Sequence, residues 1–197
     1  MSKNVSFLTL GCAKNESDSA RMQEDLIRAG YSIVDIADSA DVIVVNTCSF
    51  IQSAIEESLD AVFEIAGYDS VASGDTKLVV CGCMPSRFGD DLEEELIEAD
   101  KFVTCREEDN IVEIIDDLLG VSSVRNSVEV DFDYAPSEYV KISDGCNRFC
   151  SFCTIPFIRG RYHSFSYDEI ASDVKAKVES GTKEIVLIAQ DLSLIHI

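Results

Sequence analysis

Cys146, Cys150 and Cys153 stand in the run SDGCNRFCSFCTIP, spaced CxxxCxxC and directly following a strand-like segment at 139–143. Three thiolates leaving one strand end can reach a common centre, and no ligand-type residue close by completes a fourth position. A four-iron cluster held by three cysteines keeps one iron open for chemistry. An open position separates a catalytic zinc site from a closed structural one by the same logic. Phe152 precedes the third cysteine, where its ring can wall an aromatic base. This pattern points to reductive cleavage of S-adenosylmethionine.

A second set of cysteines is spread along the first half of the chain. Three short apolar runs each end on one: VSFLTLGC delivers Cys12, DVIVVNTC delivers Cys48 and KLVVCGC delivers Cys83. Their length and β-branched content suit strands buried on both faces. Helical patterns lie between them. Asn15 and Ser17 are placed to cap a helix running to Ala29 and stopping at Gly30. Ile55, Leu59, Val62, Phe63 and Ala66 fall on one helical face before Gly67. An acidic helix is expected over Asp90–Glu98, and another over Asn110–Leu119, closed by Gly120.

Strand–helix alternation of this kind predicts a parallel sheet with helices on both faces. The carboxyl ends of all strands then share one edge, which is where such sheets bind ligands. Cys12, Cys48 and Cys83 are carried to that edge from distant parts of the sequence, and three in phase make a second three-thiolate constellation. Cys81, two residues before Cys83, would point to the same side of its strand and so could substitute as a ligand. Cys81 and Cys105 are read as core thiols, since free cysteine is often a small buried hydrophobe. His163 in a polar loop and His196 in an apolar tail carry no ligand spacing.

Composition sets the bounds. The chain has 197 residues, 46% of them apolar, enough for a sizeable core. Met1-Ser-Lys runs straight into a strand pattern without a signal-peptide core, and no stretch approaches the about 20 apolar residues of a membrane span. A cytoplasmic protein is expected, with its eight cysteines as metal ligands or buried thiols rather than disulfides. The formal charge of −21 argues against a surface built throughout for phosphate contact and would favour a basic partner. Locally, Lys141, Arg148, Arg159 and Arg161 face only Asp144, a basic rim beside the cysteine loop that would meet an anionic group.

Residues 121–138 lose helical periodicity and end in Ala-Pro-Ser, a linker between a first domain over 1–120 and a second over 139–197. The second opens with the strand at Tyr139–Ser143, then the cysteine loop shaped by Pro156 and Gly160. A helix from Tyr167 to Ser180 and a strand at Glu184–Ala189 complete one β-α-β unit.

GCAKNESDS, NTCSFIQSAIEES, GCMPSRFGDDL and GCNRFCSFCTIPFIRG, in this order, resemble the sequence blocks of the radical S-adenosylmethionine methylthiotransferases over nearly the whole chain. The resemblance implies an N-terminal parallel-sheet α/β domain followed by the first β-α-β part of a radical-SAM partial barrel. It implies that Cys146, Cys150 and Cys153 hold a 4Fe-4S cluster whose open iron binds S-adenosylmethionine, yielding a 5'-deoxyadenosyl radical. It implies that Cys12, Cys48 and Cys83 hold a second 4Fe-4S cluster, associated with the inserted sulfur, and that a reductant such as flavodoxin or ferredoxin supplies electrons.

Within that family, Lys14-Asn15, FIQSAIEES and Gln190-Asp191 resemble the branch that methylthiolates an aspartate of a small-subunit ribosomal protein, the one numbered twelve. The alternative branch acts on a tRNA adenosine. The acidic composition suits the basic ribosomal partner. The chain departs from the family at His163 and Phe165, where arginines are usual, and at LSLIHI after Asp191. The barrel beyond the second strand and the C-terminal RNA-binding-type module are not in the sequence, so the expectation is a C-terminally truncated form that does not turn over. A zinc-binding adaptor or an α/β domain with inert thiols are the non-catalytic alternatives.

Overall fold

The computed structural model describes residues 3–35, 39–122 and 134–192. The chain divides into two compact units, residues 1–128 and 129–197.

In the first unit, β1 (Asn4–Thr9), β2 (Ser32–Ile33), β3 (Val42–Thr47), β4 (Lys77–Gly82) and β5 (Lys101–Thr104) form one parallel sheet in the order β2-β1-β3-β4-β5. The helices are α1 (Ala13–Arg28), α2 (Gln52–Ala66), α3 (Asp69–Ala72), α4 (Cys83–Phe88), α5 (Asp90–Glu95) and α6 (Ile111–Leu119). Every residue of β3, VIVVNT, is buried, the pattern of a central strand covered from both sides. Its alternate residues feed two cores. Val42 and Val44 pack with Val79, Met22 and Leu26 of α1 and Ile115 of α6. Ile43 and Val45 pack with Leu78, Val62 and Ile65 of α2 and Leu92 of α5. At about 1.5–3 kcal/mol per fully buried large aliphatic, these two layers hold the sheet.

This strand order reverses direction between β1 and β3, the switch point at which helices leave to opposite faces and open a crevice. The α/β class expected from the sequence is the one observed.

Several local expectations change. Neither Asn15 nor Ser17 caps α1: the helix starts at Ala13 with Cys12 as its extended N-cap residue and no side-chain cap. Asn15 lies inside the first turn, fully buried, because its carboxamide satisfies backbone groups outside the helix. Along α2 the buried stripe is Ser58, Val62 and Ile65, which leaves Phe63 half exposed on its flank. The expected acidic helix starts at Asp90 after Gly89 but ends at Glu95, where Leu96 leaves helical geometry at φ −101° and ψ 71°. Cys81 belongs to the α1/α6 core. Cys83 is not on its side, since Gly82 at φ +92° ends the strand alternation and Cys83 opens α4. Cys105 is only partly buried, not a core thiol.

The second unit pairs β6 (Ser137–Lys141) in parallel with β9 (Glu184–Ile188), connected through α8 (Tyr167–Glu179). The expected opening strand starts two residues earlier and breaks at Ile142. Its last part becomes β7 (Ser143–Asp144), antiparallel to β8 (His163–Ser164). Between β7 and β8 run the cysteine loop and a single turn, α7 (Ile155–Ile158). Ser166 accepts from the Glu169 N–H and Glu169 from the Ser166 N–H, a complete capping box at the start of α8. Residues 123–133 of the expected linker, and 193–197 with His196, lie outside the described residues.

Candidate iron–sulfur centres

Cys12, Cys48 and Cys83 stand just past the carboxyl ends of β1, β3 and β4, around the switch point. One side chain links them. The Asn15 Oδ1 atom lies 4.0 Å from Cys12 Sγ and 3.7 Å from Cys83 Sγ. Its Nδ2 donates to Leu10 O at 2.8 Å and Thr47 O at 2.9 Å, the carbonyls that follow β1 and close β3. Only an amide nitrogen satisfies two carbonyl oxygens at once, so the oxygen is the atom turned to the sulfurs.

Cys48 completes the group through Gly11. A Cβ added at Gly11 would stand 2.6 Å from Cys48 Cβ, 3.0 Å from Cys48 Sγ and 3.4 Å from Asn15 Nδ2, and Gly11 has φ +100°. No other residue type permits that approach. The backbone of each cysteine turn is also tied down. Cys48 N–H donates to Ser58 Oγ, and Ser58 Oγ donates back to Cys48 O, both at 3.0 Å. Ser49 Oγ donates to Cys83 O at 2.9 Å, and Thr47 Oγ1 donates to Cys81 O at 2.6 Å. Asn46 Nδ2 donates to Asn15 O and Ser19 Oγ from below. Cys12 sits at the N-terminus of a 16-residue helix, where the helix dipole favours negative charge.

Among the described residues, no group of three His, Cys, Asp or Glu side chains is placed to hold a metal ion. Cys12 and Cys83 flank the Asn15 carboxamide oxygen. A donor set of sulfurs alone fits iron–sulfur chemistry.

In the second unit Cys146 is buried, Cys153 partly buried and Cys150 exposed. Gly145 shapes the entry: at φ +70° its missing Cβ would lie 2.3 Å from Arg161 O and 2.7 Å from Gly160 O. Cys146 N–H donates to Gly160 O at 3.2 Å, and Cys153 N–H to Cys150 O at 3.0 Å. Phe149 sits at φ +47°, a conformation that costs a bulky residue energy and clusters at functional loops. Phe152 stands 87% exposed, its ring face open.

The basic rim read from the sequence is largely consumed internally. Lys141 Nζ is 3.1 Å and Arg159 Nη1 3.9 Å from Asp144 Oδ2. Arg161 lies over the Phe149 ring, 5.9 Å from its centroid. Arg148 pairs with Asp191 at 2.6 Å. That hydrogen bond, then the Asp191 charge, raises the Arg148 pKa above its ordinary value, with Cys146 and Cys150 contributing more weakly. Asp144 and Asp191 are the reason: each neutralises cations that the local sequence leaves in excess.

Sequence reasoning misses Asn15 as a site residue, reading it as a helix cap. The signal available was its place three residues after Cys12, inward on α1. Ser58, which holds both backbone groups of Cys48, gave no signal beyond lying on the apolar stripe. No described helix is long and apolar enough to cross a membrane.

A profile of the uncharacterized protein family UPF0004 matches residues 4–104. The chain is 39% identical to a protein of Thermodesulfovibrio yellowstonii named ribosomal protein uS12 methylthiotransferase RimO, over 97% of this chain and 44% of that protein. Proteins of the same name from Natranaerobius thermophilus and Fervidobacterium nodosum are 37% and 38% identical, over 95% and 93% of this chain and 44% and 43% of theirs. The chain therefore spans less than half the length of these relatives.

Proposed function

The chain belongs to the uncharacterized protein family UPF0004, and from that premise we propose that it carries the two cysteine sites of a methylthiotransferase acting on a small-subunit ribosomal protein. The observation that carries this reading is the convergence of Cys12 and Cys83 on Asn15 Oδ1, with Cys48 against Gly11. The similarity to proteins named RimO supports the substrate class.

In this reading Cys12, Cys48 and Cys83 hold one 4Fe-4S cluster and Cys146, Cys150 and Cys153 another. When bound, the clusters supply electron transfer, reductive cleavage of S-adenosylmethionine and the sulfur to be inserted. The chain's own work is positional. Ser58 and Ser49 hold the carbonyls of Cys48 and Cys83, so the sulfurs are presented from fixed turns. Phe152, largely exposed, would offer its ring to the adenine of S-adenosylmethionine. Asp191 anchors the loop through Arg148. The excess of 37 acidic over 16 basic residues favours a basic ribosomal protein over tRNA as the partner. A low-potential reductant such as flavodoxin or ferredoxin is required.

The test is methylthio transfer by the full-length protein containing this segment, reduced anaerobically with S-adenosylmethionine. The ribosomal protein gains one methylthio group by mass spectrometry, and Cys48→Ala abolishes the gain. Transfer to tRNA adenosine instead overturns the substrate, and transfer to neither overturns the activity.

A further inference from the structure

We propose that Asn15 is a positioning residue that also sets the reduction potential of the site formed by Cys12, Cys48 and Cys83. The inference rests on that site holding an iron–sulfur cluster. Asn15 is fully buried, and its two amide hydrogens are committed to Leu10 O and Thr47 O at 2.8 and 2.9 Å. Those carbonyls belong to the segments that deliver Cys12 and Cys48. One side chain thus ties together two strand ends just past the Leu10 N–H to Asn46 O bond.

The same commitment fixes the orientation of Oδ1. Turning the carboxamide over would place an oxygen against two carbonyl oxygens, so Oδ1 stays 4.0 Å from Cys12 Sγ and 3.7 Å from Cys83 Sγ. The backbone of Asn15 is held as well, its carbonyl accepting from Asn46 Nδ2 at 3.1 Å. Asn46 is itself fully buried. A carbonyl dipole therefore points its negative end at two of the three ligand sulfurs. Groups around a cluster tune its potential through charge and hydrogen bonding to the sulfurs. A negative dipole end opposes the arrival of an electron and lowers the potential. A hydrophobic filler or a larger clamp would not give this combination of a donor pair on one side and an acceptor on the other.

The experiment uses the chain carrying Cys146→Ala, Cys150→Ala and Cys153→Ala, so that only the first site loads. Iron content and the midpoint potential are measured after anaerobic reconstitution, titrating with dithionite. Asn15→Leu removes the dipole and both donors at similar volume, and Asn15→Ala removes them with a smaller side chain, with circular dichroism reporting the fold of each. The midpoint potential of either variant is expected above wild type, by about tenfold in reduction equilibrium, about 59 mV for one electron. Both variants should lose iron to a chelator severalfold faster than wild type. If the Leu variant does not fold, the Ala variant against wild type decides the sign. Equal potentials, or the reverse order, overturn the role of Asn15. Absence of iron in the wild-type background overturns the cluster assignment itself.

Discussion

Arg148 and Asp191, 43 residues apart in sequence, form a two-point clamp: Nε lies 2.6 Å from Oδ2 and Nη2 3.4 Å from Oδ1. Arg148 stands between Cys146 and Cys150, and Asp191 follows β9. Asp191 is 7% exposed against 56% for Arg148. The buried partner is therefore the fixed point, and the cysteine loop is the part being held.

Removing that anchor should loosen the loop before it destabilises the fold. With the first site disabled by Cys12→Ala, Cys48→Ala and Cys83→Ala, Asp191→Ala is expected to speed iron release to a chelator severalfold. High salt should narrow the difference, because Arg148 is solvent-accessible and screened. Release at the wild-type rate would mean that Arg148–Asp191 leaves the loop unaffected.

Gly11→Ala tests the close approach at the first site. The added methyl would meet Cys48 Cβ at 2.6 Å on a backbone at φ +100°. Strain of this kind costs about 1–3 kcal/mol, so the apo chain should unfold at lower denaturant. Iron bound at the first site should fall to near zero while the second site keeps its share. A variant that loads both sites equally would contradict the packing of Gly11 on Cys48.

Tyr31 gives a stability prediction with a definite pH sign. Its hydroxyl donates to Asp116 Oδ1 at 2.5 Å. Burial first, and then this bond, raises its pKa well above the ordinary tyrosine value. Above pH about 10, the unfolded chain releases the tyrosine proton and the native chain keeps it, so stability falls as pH rises. Below that pH the contribution is fully present. Tyr31→Phe should cost about 1.5–3 kcal/mol at neutral pH and show a shallower alkaline decline in urea unfolding. Parallel pH profiles for the two proteins would refute it.

The fold was largely legible because β-branched runs such as VIVVNT and interposed amphipathic segments leave few alternatives to a parallel sheet. Strand ends placed Cys12, Cys48 and Cys83 at one edge without any coordinates. Periodicity failed where a backbone break overrides it. Gly82 at φ +92° sends Cys83 away from the side of Cys81, and Leu96 at ψ 71° ends the acidic helix at Glu95. The roles of Asn15 and Ser58 were hidden for another reason. Their partners are backbone atoms 32 and 10 residues away, and side-chain-to-backbone bonds over such separations leave no sequence pattern. The basic rim dissolved likewise, since Asp191 lies outside the window in which the local charge was counted.

The most direct test of the account is iron per chain after anaerobic reconstitution, wild type against each cysteine triplet changed to alanine. Two four-iron sites predict about eight irons in wild type and about four in either triplet variant, with the brown iron–sulfur absorption halved in step. A wild type that binds zinc in preference to iron, or a Cys12, Cys48 and Cys83 variant that keeps all its iron, would contradict it.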